Sequence, residues 1–279
     1  MAKGLSIGAV AAAMLAMTIA SAQAFDDAKY PDWSGQWLRR SGATNQATWD
    51  PDKPWGAKQE PPLTPKYQEI FEANLADQKS GGQGTDPSWL CIPTGMPRLM
   101  LAVQPFEILI MPDTTYMMFE IFSSLRRIFT DGRPWPEKLQ HSYAGTSIGH
   151  WEDTDGDGKF DTLVAETRGI KGPHSYDNSG IPFHEDEQAV VHERIYSDKT
   201  NPNVLYAEIT TIDNALTRPW TVKRSFRRLQ GKQPVWSEYI CTENNRHLQV
   251  GSENYVIGAD GNLMPTRKNQ APPDLRHFQ

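Results

Sequence analysis

From Phe106 onward the chain reads as one short strand-like run after another, and this rhythm limits its folds more than any other feature. Glu107–Met111, Thr115–Phe122 and Leu125–Phe129 are separated by little more than Pro112-Asp113 and Ser123-Ser124, which is hairpin spacing. Thr146–Glu152, Thr162–Thr167, Gln188–Ser197, Val204–Ile212, Trp220–Arg228 and Val235–Cys241 follow. A meander of about nine such strands must close or sandwich to hide its edges. The 21 Pro and 21 Gly argue against long helices. The expected fold is all-β and mainly antiparallel, a calycin-like barrel or strongly curved sheet over residues 90–246. A helix-bearing N-terminal arm over 25–89 precedes it, and a tail over 247–279 packs on the barrel or trails from it.

Ahead of these strands, residues 1–24 look like a cleaved signal peptide. Lys3 is the positive start, Leu5 to Ala20 the apolar run, and Ala22-Gln23-Ala24 the small-residue cleavage site. The run is short for a permanent span and no charged stop follows it. The mature chain is therefore expected in a periplasm or secreted, with no membrane span after cleavage. ATP and NAD(P)H are not supplied there, so no organic cofactor is expected. Acidic residues number 34 against 28 Lys plus Arg; loss of Lys3 takes the charge from −6 to −7. Such a chain has no electrostatic pull toward nucleic acid.

Only two cysteines occur, Cys91 and Cys241. In an oxidising compartment an isolated pair is read as a disulfide, the alternative being two buried thiols. Further upstream, Asp32–Trp37 suggests a short first strand. Thr64-Pro65 opens a helix whose Tyr67, Ile70, Phe71 and Leu75 recur at helical spacing to about Lys79.

The sharpest local motif is Asp153-Thr-Asp155-Gly-Asp157-Gly-Lys-Phe-Asp161. Alternating carboxylates and a Gly at the sixth position resemble a calcium loop, with Asp153, Asp155, Asp157 and Asp161 as ligands. The twelfth position holds Val164 where a bidentate Glu belongs, so the loop is either an Asp-rich structural calcium hairpin or a solvated turn.

Charged residues also fall on apolar strand faces. Glu193 shares its alternation phase with Ala189, Val191 and Ile195, while Arg127 shares one with Leu125 and Phe129. A buried Arg127–Glu193 pair inside the barrel is expected, structural or lining a ligand site. Asp131, Arg133 and Trp135 crowd one turn, where Arg133 either clamps a ligand carboxylate or staples the loop to Asp131. No His spacing suits zinc.

Several segments together resemble a broad family of secreted, largely uncharacterised bacterial proteins. Arg127-Ile-Phe-Thr-Asp131-Gly-Arg133-Pro134 resembles that family's R-x-I-x-x-D-G-R-P string. Gly145–Glu152 with Asp161–Thr167 is similar to its G-x-S-x-G-x-W-E and D-T-L-V elements, and Glu238–Asn245 to E-Y-x-C-x-E-x-N. His184 with Glu193-Arg194 resembles its H-S…V-x-E-R element. The resemblance implies no particular activity.

The residue types point to an exported barrel that binds a small, partly aromatic organic molecule. Arg127, Asp131, Arg133, Tyr143, His184 and Glu193 would line or rim its cavity. If it is an enzyme, Glu193 or His184 would move a proton in a cofactor-free lyase, hydratase or isomerase reaction, with an Arg holding the developing anion. The alternative is a non-catalytic periplasmic binder or envelope protein with a structural polar core.

Overall fold

The structure, a computed structural model, describes residues 25–40, 60–101, 103–231, 236–244 and 246–276. The leader and residues 41–59 of the arm lie outside the described residues. Nine strands form a closed barrel in sequence order: β1 (Gln36–Arg39), β2 (Phe106–Ile110), β3 (Thr114–Phe119), β4 (Ser124–Phe129), β5 (Thr146–Glu152), β6 (Thr162–Arg168), β7 (Val190–Ser197), β8 (Val204–Ile212) and β9 (Trp220–Arg228). β1 pairs antiparallel with both β2 and β9 and so closes the ring.

Every neighbouring pair is antiparallel except β4 and β5, where Ile128 meets Ser147 and Phe129 meets Ile148 in parallel. A closed ring needs an even number of direction reversals, so an odd number of strands requires a parallel pair. The connection 130–145 carries the chain back along the barrel, from the end where β4 finishes to the end where β4 began, to make it. Gly149 on β5 is required by close approach: a Cβ there would lie 2.4 Å from the Val164 carbonyl oxygen and 2.9 Å from Ile128.

Alternation places Val191, Glu193 and Ile195 of β7 inside, with His192 and Arg194 outside. Leu205, Ala207 and Ile209 of β8 and Leu163 and Ala165 of β6 join them. Phe106 packs against Phe119 and, edge-on, against Phe226 from the other strand that flanks β1. Met96, Leu99 and Met100 belong to the same buried cluster, as do Trp33 and Trp37. Residues ahead of β2 therefore help to complete the barrel's core.

The expected helix is present as α1 (Pro65–Lys79), with Pro at its start. It buries Tyr67 and Asn74, while Ile70 and Leu75 stay exposed. Tyr67 and Leu63 pack with Tyr176, Phe183, Leu216 and Trp220 in a second cluster over the loops at one barrel end. We call this the mouth; it is formed by 169–189, 213–219 and the last residues of the 130–145 connection, where the Ser142 amide donates to the Gly169 carbonyl.

Two expectations change beyond β9. Residues 236–240 carry no strand, and Cys241 opens a one-turn helix, α2 (Cys241–Asn244), while 232–235 lie outside the described residues. The tail instead forms a three-stranded antiparallel sheet of β10 (His247–Val250), β11 (Glu253–Ile257) and β12 (Leu263–Pro265). Cys91 and Cys241 are joined in a disulfide, with Cα atoms 5.6 Å apart. Among the described residues no helix is long and apolar enough to cross a membrane.

Candidate functional site

Inside the barrel, Glu193 finds an arginine, but it is Arg126. The Nη1 of Arg126 donates to Glu193 Oε1 at 3.1 Å, and Nη2 donates to Oε2 and, at 3.0 Å, to Thr167 Oγ1. Nε donates to Ser147 Oγ at 3.2 Å, and Ser147 and Thr167 bond each other at 2.8 Å. The side chains are 1% and 0% exposed. Both carboxylate oxygens and all three guanidinium nitrogens are thus used within one closed network. Arg127 points outward, with its guanidinium 5.6 Å from the Phe129 ring, so the expected phase of β4 is corrected by one residue. Register explains it: Arg126 lies opposite the fully buried Met117, and Arg127 opposite Tyr116 on the outer face.

The remaining expected site residues do not converge on Glu193. Arg133 staples its own loop: Nε and Nη2 donate to Asp131 at 2.6 to 3.0 Å, and this fork holds the Asp131 carboxyl down to about 2. Its guanidinium also stacks 3.8 Å from the Phe129 ring. Tyr143 is half-buried; its carbonyl accepts from the Met96 amide at 2.9 Å and its ring lies 5.7 Å from Lys171 Nζ. His184 sits in the mouth loops, 3.0 Å from Asp186, and its backbone N–H donates to Asp213.

The mouth also gathers His174, a loop histidine of the kind that often serves as general acid or base, with Tyr176 and Asp213. Burial pushes His174 down to about 4, partly opposed by the charge of Glu187, and its ring lies 3.9 Å from that of Phe183. Among the described residues neither ring nitrogen of His174 has a hydrogen-bond partner. Burial raises Tyr176 well above the usual phenol value, reinforced by the Asp213 charge, and burial raises Asp213 too. Such shifts often mark function. Here the void between Tyr176, Thr211, Trp220 and Arg224 measures only about 10 Å³, room for about one water.

A larger space lies at the opposite end, between the β5–β6 hairpin and the β7–β8 hairpin. It encloses about 640 Å³ and is lined by Pro31, Phe160, Tyr196 and Tyr206 together with Asp155, Asp161, Asp198 and Lys199. Tyr196 and Tyr206 face each other across β7 and β8, with ring centroids 5.6 Å apart. Their hydroxyls are bonded to carboxylates, Tyr196 donating to Glu208 at 2.7 Å and Tyr206 to Asp198 of the groove wall at 3.2 Å. Burial and the Glu208 bond raise the Tyr196 phenol well above its usual value.

The Asp-rich hairpin forms one wall. Oxygens of Asp153, Asp155 and Asp161 lie within 4.8 Å of one another. Asp157 is not in this group; its Oδ1 accepts the Lys159 amide at 2.8 Å. Asp153 accepts the amides of Gly156 and Gly158, so the loop has its own turn bonding as well as a carboxylate cluster. Although partial burial opposes it, hydrogen bonds from Thr154 and Thr162 lower the Asp161 carboxyl below its ordinary value.

In comparisons with known proteins, the chain matches no family model and no curated protein sequence.

Proposed function

We propose that the chain is an exported barrel protein that binds a small, partly aromatic organic molecule without transforming it. The groove between the two hairpins is the binding site, and the barrel serves as its rigid, calycin-like scaffold. Size carries this reading. A groove of about 640 Å³ falls in the range of small-molecule sites, whereas the mouth void takes about one water. Its wall combines rings for an apolar body with polar groups that orient it. A lyase, hydratase or isomerase working through Glu193 would need a carboxylate oxygen open to substrate, and Arg126 holds both. The leader-like residues 1–24 and the disulfide support export to an oxidising compartment. The carboxylate cluster of Asp153, Asp155 and Asp161 supports a structural calcium ion at the hairpin.

A panel of one-ring aromatics, measured by saturation-transfer NMR, tests the groove. Wild-type protein should give transfer signals that fall several-fold in Tyr206→Ala, with its melting curve recorded to confirm folding. Signals equal in both proteins, or absent from wild type, would overturn the assignment.

A further inference from the structure

We infer that the groove selects an organic cation, an amine attached to an aromatic or alkyl body; this rests on the groove being the binding site. Its wall carries Asp155, Asp161 and Asp198 against Lys199, three negative charges and one positive, or net −2. The Asp198 carboxyl is bonded by Thr200, Asn201 and Tyr206, which keeps it ionised at neutral pH. The cation that lines the wall is already engaged: Lys199 Nζ stands 3.7 Å from Asp155, and both groups are well exposed. A ligand ammonium can take the place of Lys199 at Asp155 for little cost, because exposed pairs are weak.

The rings point the same way. Lys223 Nζ lies 4.4 Å from the Tyr206 centroid and 5.9 Å from that of Tyr196, so this pair already accepts one ammonium by cation–π contact. The two phenol hydroxyls are spent on Asp198 and Glu208. A ligand carboxylate would meet three like charges on the wall, with Lys199 already paired to Asp155 and Lys223 already set against the tyrosine rings. Asp155 and Asp161 also belong to the carboxylate cluster, so calcium and the amine should compete.

The test compares phenethylamine, phenethyl alcohol and phenylpropionate by NMR titration in chelator at low salt. Phenethylamine should bind about tenfold more tightly than the alcohol, the preference expected from one unscreened charge contact. Asp155→Asn should weaken it several-fold, and Lys199→Glu, a surface change that leaves the core untouched, should tighten it. Added calcium should displace it. Equal binding of all three probes, or a preference for phenylpropionate, would overturn the cation reading and leave the groove assignment standing. Binding of none of the three would overturn the groove itself.

Discussion

Arg126 and Glu193 are buried so completely that either one alone would be a stranded charge. Arg126→Met or Glu193→Gln should each cost about 3–5 kcal/mol of stability. The double change Arg126→Met with Glu193→Leu should recover most of that, because the desolvation of both charges disappears with them. Urea unfolding of the three variants measures this; single variants as stable as wild type would contradict a structural role for the pair. His174 makes a second prediction. Its folded value is about 4 against an ordinary 6.5, so between those values the unfolded chain holds the extra proton. Stability should therefore fall as pH drops from about 6.5 toward 4, by about 1.4 kcal/mol per unit, with no contribution above that window. His174→Gln should flatten this part of the pH profile of the urea midpoint; an unchanged slope would show that the buried imidazole is not responsible. Glu193 was legible in the sequence because Val191 and Ile195 flank it in strict alternation. Arg126 was not, because β4 carries apolar residues on both faces, Leu125 and Phe129 outward and Ile128 inward. Only its pairing with buried Met117 fixes the phase. The string R-x-I, taken literally, also begins at Arg126.

Two elements can be tested separately from the barrel. The Asp153–Asp161 hairpin should bind calcium: chelator should lower the melting temperature of wild type and leave Asp153→Asn/Asp155→Asn unmoved. An ion at 100 times its dissociation constant stabilises by about 2.7 kcal/mol, which such a curve resolves easily. Identical wild-type curves with and without chelator would reduce the hairpin to a turn. The Cys91–Cys241 bridge closes 150 residues, so Cys91→Ser/Cys241→Ser should lower stability by up to about 5 kcal/mol in the chain-entropy model. Two thiols alkylated in unreduced native protein would deny the bridge altogether. Helix α1 and β2 to β9 were legible within a few residues, since Pro65 and the turn residues punctuate them sharply. The parallel β4–β5 pair was not, because parity of the ring is a property of closure and leaves no local mark. The tail sheet escaped notice for another reason: its strands are short and half-exposed, and their alternation is weak.

For the molecule as a whole, the barrel's two ends divide the polar chemistry. The mouth is closed by Met96, Leu99, Met100 and the loop cluster of Tyr176 and Phe183, while the hairpin end presents the open groove. Sequence pattern could assign the Asp-rich hairpin but not its neighbour, because Tyr196 and Tyr206 meet it only through barrel curvature and strand register. Hydrogen–deuterium exchange, with and without the tightest-binding aromatic of the probe panel, locates the site. Exchange should slow in 153–161 and 197–204 and stay unchanged around the mouth. Slowing confined to 169–189 and 213–219 would place the ligand at the mouth instead and contradict the groove as the binding site.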